Sequence, residues 1–256
     1  MKVISADFVT SAALRPIDGL RAAPSNAEGR LAPGDAEGLA HGRPPAAMAG
    51  LPHDGLPEVA IAGRSNVGKS TLINALLRRQ VARTSAAPGK TRLVNIFRIT
   101  VEGGPRRGAG PGGAGRWSLY LVDLPGYGYA RGGASAAEEL RAVAEAYFRV
   151  ERRGPASPGD SSRLTLLLID SRHPGLDSDI QAYRWLATLG AEPLIVATKI
   201  DKLSRAERTR NLRELERVFG KPALPVSAER GEGLDELWTT IAKQARAAAR
   251  RTRGDE

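Results

Sequence analysis

Apolar residues along this chain fall into blocks with two alternating spacings. Short, nearly unbroken apolar runs at 57–62, 93–101, 117–122, 164–169, 193–197 and 223–226 each predict a strand. Between and beyond them, 69–79, 135–150, 177–189, 204–219 and 233–250 carry the spacing of helices with one buried face. Leu164-Thr165-Leu166-Leu167-Leu168-Ile169 does not alternate with polar positions, as expected of a parallel strand covered on both sides. Gly190 closes one predicted helix, and Gly220 with Pro222 closes another. Strands and helices taking turns predict an α/β fold. Its core is expected to be a doubly wound, mostly parallel six-stranded sheet with helices on both faces. Ligands of such sheets bind at the C-terminal ends of the strands.

The pattern breaks in three places. Residues 1–19 form an arm in which Ala6-Asp7-Phe8-Val9-Thr10-Ser11-Ala12 could make an edge strand. Residues 20–55 are rich in Ala, Pro, Gly and Asp, with few large apolar side chains, and are expected to be a disordered linker. A Gly- and Pro-rich stretch at 102–116 separates two predicted strands and reads as an extended hairpin loop. That leaves one folded domain at 56–248 and a basic tail at 249–256.

Composition narrows the chemistry. A length of 256 residues, 41% of them hydrophobic and 26% charged, suits one domain with a sizeable core. The chain has no cysteine, which excludes disulfides, Cys-zinc sites and thiol nucleophiles and fits a reducing compartment. Of the three histidines, His41 and His53 lie in the linker, so no His-based metal site is expected. His173 follows a predicted strand end, where it could serve as a base or simply shape a loop. No secretory leader is expected at the N-terminus, and no run approaches the ~18 apolar residues of a membrane helix. A soluble, cytoplasmic protein without membrane insertion is the expectation.

The formal net charge is +10. Residues 1–55 hold five basic and six acidic side chains, so the excess belongs to the remainder of the chain. A basic domain points to an anionic macromolecule, RNA first, unless arginine merely replaces lysine throughout. Arg78, Arg79, Arg83, Lys90 and Arg92 could contact RNA phosphates or form a solvated face. Lys243, Arg246, Arg250, Arg251 and Arg253 at the C-terminus would suit a helix dipole in either case.

Four motifs follow predicted strands. Gly63-Arg64-Ser65-Asn66-Val67-Gly68-Lys69-Ser70 reads G-x-x-x-x-G-K-S, a phosphate-binding loop between a strand and a helix. Its glycines let successive N–H groups face an anion, and the helix end adds positive dipole. Lys69 is expected on the β- and γ-phosphates and the Ser70 hydroxyl on Mg²⁺. Asp123-Leu124-Pro125-Gly126 supplies a carboxylate for that Mg²⁺ and a glycine whose N–H can approach the γ-phosphate. Thr198-Lys199-Ile200-Asp201 places a carboxylate that can accept two hydrogen bonds from guanine, a pair adenine cannot offer. The Lys199 stem can cover the base. Val226-Ser227-Ala228 can present an N–H to guanine O6. Together the motifs predict a GTP/GDP site.

These motifs resemble the bacterial EngB (YihA/YsxC-type) family, within the TrmE-Era-EngA-EngB-Septin-like P-loop GTPases, which implies the Ras-like P-loop GTPase fold. The resemblance covers roughly 56–248. It rests on the stretch 58–70, on Arg83-Thr84-Ser85 with Pro88-Gly89-Lys90-Thr91, on Asn95-Ile96-Phe97, on Val122-Asp123-Leu124-Pro125-Gly126-Tyr127-Gly128-Tyr129-Ala130, and on Asp170-Ser171-Arg172-His173. It implies that Gly89, Lys90, Thr91, Arg92 and Leu93 contact the nucleotide, with Thr91 as the threonine of switch I. There Thr91 would join Ser70 and Asp123 on Mg²⁺ and close on the γ-phosphate. It implies that Asn66 helps to hold a K⁺ ion beside the phosphates, where other GTPases use an arginine finger. Lys69, Thr91, Asn66 and Gly126 are thus the expected catalytic set. The resemblance further implies work on the large ribosomal subunit or its rRNA, as a monomer without DNA sequence readout, and a link to cell division and septation.

Two positions depart from the general GTPase pattern. Tyr127 stands where many GTPases place a water-orienting glutamine, so slow intrinsic hydrolysis is expected. Thr198 replaces the usual Asn of N-K-x-D but keeps a hydroxyl that can brace the phosphate loop. Tyr127 also motivates an alternative: a GTP/GDP-binding regulatory module in division or septation, with negligible turnover and no direct ribosomal role.

Overall fold

The computed structural model describes residues 1–14, 48–49, 51–52, 54–82, 93–103, 115–127, 133–149 and 163–251. The strands are β1 (Lys2–Leu14), β2 (Met48–Ala49), β3 (Glu58–Gly63), β4 (Val94–Glu102), β5 (Arg116–Asp123), β6 (Arg163–Asp170), β7 (Leu194–Thr198) and β8 (Leu224–Pro225). The helices are α1 (Lys69–Leu77), α2 (Gly133–Arg149), α3 (Asp177–Thr188), α4 (Arg205–Phe219) and α5 (Leu234–Arg251). All six expected strands and all five expected helices are present, with ends shifted by a few residues.

The strands form one sheet in the order β2-β1-β4-β5-β3-β6-β7-β8. From β5 to β8 every pairing is parallel, and helices make the crossovers between successive strands. β4 and β5 pair antiparallel, as a hairpin connection allows. Its base is closed by Gly103 N–H donating to Gly115 O (3.3 Å) and by Trp117 Nε1 donating to Gly103 O (3.3 Å). Residues 104–114 of the expected loop lie outside the described residues.

The unbroken apolar runs are explained by two cores. Val59, Ile61, Leu166 and Leu168 face α1 and α5, where they meet Leu72, Ile73, Leu76, Leu237, Trp238 and Ile241. Their chain neighbours Ala60, Ala62, Leu167 and Ile169 face α2, α3 and α4, meeting Tyr147, Leu186, Leu215 and Phe219. Successive strand side chains point to opposite faces, so a strand buried on both faces must be apolar at nearly every position.

Two differences from the sequence expectation extend the sheet. The arm forms β1 over Lys2–Leu14, longer than 6–12, because it pairs antiparallel with almost all of β4. The last residues assigned to the 20–55 linker belong to the fold. Met48–Ala49 pairs with β1 as β2, Leu51 is buried, and Asp54 Oδ2 accepts from Tyr120 Oη at 2.8 Å. Low-complexity composition concealed this, because a strand of two residues needs no apolar period. Residues 15–47 lie outside the described residues.

Candidate functional site

The C-terminal ends of β3, β5, β6, β7 and β8 converge on the loop at 63–70. β3 lies between β5 and β6 in the sheet, so its C-terminal end is flanked by Asp123 and Asp170. The loop enters α1 through Gly68, whose φ of 106° is costly for any residue with a Cβ. Asn66 also has positive φ (64°) and is exposed, so its side chain faces solvent beside the loop. Lys69 and Ser70 are the first two residues of α1.

Lys69 and Asp123 oppose one another within the site. Burial pushes the Lys69 ammonium below its ordinary pKa, with Asp123 countering. Burial pushes the Asp123 carboxyl up to about 6, against the pull of Lys69 and of hydrogen bonding with Asn95. Asp123 Oδ1 is buried and accepts no hydrogen bond. An orphaned carboxylate oxygen beside a phosphate-type loop is a donor that fits a divalent cation.

Gly126 lies directly on the loop: a Cβ there would come within 3.0 Å of Lys69 Nζ and 3.1 Å of the Ser65 nitrogen. Only a residue without a side chain allows so close an approach. Tyr127 follows, its carbonyl accepting from Ser65 N–H at 2.9 Å. Leu124 and Pro125, between Asp123 and Gly126, are buried, and Leu124 N–H donates to Ile61 O (3.1 Å).

The motifs expected to read the base are tied to the loop at 63–70 by side-chain hydrogen bonds. Thr198 Oγ1 donates to Val67 O at 2.8 Å, the brace expected of a hydroxyl at this position. Lys199, at φ 60°, sends Nζ to Asn66 O (2.6 Å) and to Asp170 Oδ2 (3.0 Å). Asp201 Oδ1 accepts from Ser227 Oγ at 2.7 Å, and Lys202 Nζ lies 3.2 Å from Oδ2. Burial disfavours the Asp201 charge, but those two partners outweigh it and hold the carboxyl below its ordinary pKa. Ile200 is buried beneath the loop, and its N–H donates to Val226 O (3.4 Å). Ser227 N–H donates to Glu232 O (2.9 Å), which folds the segment carrying Ala228 back on itself.

Of the residues expected in switch I, Gly89, Lys90, Thr91 and Arg92 lie outside the described residues, as does Arg83, and Leu93 is exposed at their boundary. Gly128, Tyr129 and Ala130 also lie outside them. His173 is an exposed turn residue whose N–H donates to Asp170 O (3.0 Å).

Two acids that no motif flagged as functional are built into the site. Asp170, at the end of β6, receives both Arg172 Nε (2.9 Å) and Nη2 (2.7 Å), besides Lys199. Asp179, in the first turn of α3, receives Arg64 Nε and Tyr127 Oη, each at 3.0 Å. Asp170 stood in a recognised string without a role, and Asp179 looked like an ordinary first-turn helix acid.

The family model described as "50S ribosome-binding GTPase" matches residues 58–199. A probable GTP-binding protein EngB of Solibacter usitatus is 39% identical over 192 residues, spanning 75% of this chain and 87% of that relative. The crystal structure of a probable GTP-binding protein engB superposes with TM-score 0.51 at 22% identity, covering 74% of this chain and all but 1% of the other. The structure of Era in complex with MgGDPNP and nucleotides 1506–1542 of 16S ribosomal RNA gives TM-score 0.53 at 26% identity, over 74% of this chain and 56% of that one. The match to the family model and to the EngB relative leads to one conclusion: the chain belongs to the EngB family of P-loop GTPases, which bind and hydrolyse GTP.

Proposed function

We propose that this GTPase is a switch acting in assembly of the large ribosomal subunit, and that normal division and septation depend on it. The observation that carries the reading is the family match itself, whose members are described as binding the 50S particle. Two further facts support it. Era, a structural relative, is seen with 16S ribosomal RNA. The +10 net charge of this chain lies outside residues 1–55, so it belongs with the domain that carries the switch. We place the protein in the cytoplasm, as a monomer; no helix among the described residues is long and apolar enough to cross a membrane.

In this reading residues 63–70 cradle the phosphates through backbone N–H groups, and Lys69 neutralises their charge. Asp201 reads guanine; a carboxylate accepts up to about four hydrogen bonds, so Ser227 and Lys202 leave room for the base. Thr198 and Lys199 lock the base-reading loop to Val67 and Asn66, so that base and phosphates are registered together. Ser70, Thr91 and Asp123 would hold Mg²⁺, which neutralises phosphate charge when bound. The unsatisfied Asp123 Oδ1 fits that role. Asn66 would help to hold K⁺, and its exposed position is compatible with this. With GTP bound, Thr91 and Gly126 are held; hydrolysis releases them.

Co-sedimentation with large-subunit particles, GTP against GDP, across a salt series tests the ribosomal role. The expected result is GTP-dependent binding that falls steeply as salt rises, the mark of phosphate contacts. No binding in either state would instead favour a division-linked regulator without a ribosomal role.

A further inference from the structure

We propose that Asp179 is a positioning residue for GTP hydrolysis: one oxygen of its carboxylate holds both Tyr127, which follows Gly126, and Arg64 of the phosphate loop. The three residues come from three separate elements. Arg64 Nε and Tyr127 Oη each lie 3.0 Å from Asp179 Oδ1. Asp179 itself is fully buried, and its other oxygen, Oδ2, has no hydrogen-bond partner.

A buried acid with one unsatisfied oxygen is a costly way to stabilise a fold. Burial raises its pKa, and nearby Asp170 adds to the rise; Arg64 and Tyr127 oppose it. What the acid achieves is geometric. Tyr127 is fixed at two points: its carbonyl on Ser65 N–H at 2.9 Å and its hydroxyl on Asp179. Gly126, the residue before it, is thereby kept against Lys69 and Ser65. The Tyr127 hydroxyl gives its one proton to Asp179, so it does not donate to a water. Its contribution is to hold Gly126 where a γ-phosphate would meet it.

This assigns the clamp an effect that depends on the third phosphate. GDP has no γ-phosphate to meet Gly126, so GDP affinity rests on the phosphate loop, Thr198, Lys199 and Asp201. Single-turnover GTP hydrolysis and GDP affinity, measured on the full chain, test it. Tyr127→Phe removes only the hydroxyl and is expected to slow hydrolysis about tenfold, the size of one hydrogen bond to a charged group. GDP affinity should stay within about twofold. Asp179→Asn, which weakens the same contacts, should slow hydrolysis as well. The double variant should be slower by less than the product of the two single effects, because both remove one interaction. Wild-type hydrolysis in Tyr127→Phe, an equal loss of GDP affinity, or full multiplication of the two effects would each overturn the proposal. If Asp179→Asn fails to fold, the split between hydrolysis and GDP affinity in Tyr127→Phe decides alone.

Discussion

Asp170 and Asp123 are both buried at strand ends, yet their surroundings drive them in opposite directions. Burial disfavours charge on each. At Asp170 it is overcome by the Arg172 side chain and backbone N–H and by Lys199, which hold the carboxyl at about 2. At Asp123, Lys69 and Asn95 do not compensate, and the carboxyl sits at about 6. The lowered value at Asp170 has a definite sign. Its folded pKa lies below the ordinary 3.8, so its charge stabilises the fold above that pH. That contribution is lost as pH falls towards about 2. Asp170→Asn is therefore expected to cost ~1–2 kcal/mol at neutral pH. The gap to wild type should narrow below about pH 3. Urea unfolding from neutral pH down to acid measures both. At this scale the sequence singled out Lys69, Asp123, Thr198 and Asp201 as candidates because each sits in a fixed-spacing motif. Asp179 was not legible as functional, since its partners Arg64 and Tyr127 lie 115 and 52 residues away.

Among the elements, β1 does more than its sequence suggests. It covers β4, and Ser11 Oγ donates to Asn95 Oδ1 at 2.8 Å. Asn95 is the cross-strand partner of Asp123, so the N-terminal strand buttresses the acid at the heart of the site. Ala12, next to Ser11, is wholly buried against the second core. Ala12→Asp puts an unpaired charge there and is expected to cost ~3–5 kcal/mol. Chemical denaturation should read that loss, and Mg²⁺-dependent nucleotide affinity should fall with it. The existence of a strand near residues 6–12 was legible from β-branched and aromatic residues. Its full length was not, because β4 supplies the pairing of its N-terminal part and β2 that of Ala13 and Leu14.

In the whole molecule, the site is assembled from five strand ends and no single segment contains it. Hydrogen bonds between Thr198 and Val67, Lys199 and Asn66, and Ser227 and Asp201 span it. A ligand touching all of these should stabilise the domain as a unit. GDP at a hundredfold excess over its Kd contributes ~2.7 kcal/mol. That should raise Tm by roughly 5–10 °C in a chain of this size. ATP at the same concentration should leave Tm unchanged, because Asp201 would stay unpaired with adenine. A thermal melt with each nucleotide checks this.

By itself the sequence determined the fold class, the strand and helix order and the nucleotide motifs. Apolar period and motif spacing are local, and both are written in consecutive residues. Only the tertiary structure decided that Asp179 joins α3 to Arg64 and Tyr127, that Asp170 anchors Lys199, and that β1 and β2 widen the sheet. Those contacts depend on which strand ends the crossovers bring side by side, a relation between distant segments that no local pattern encodes.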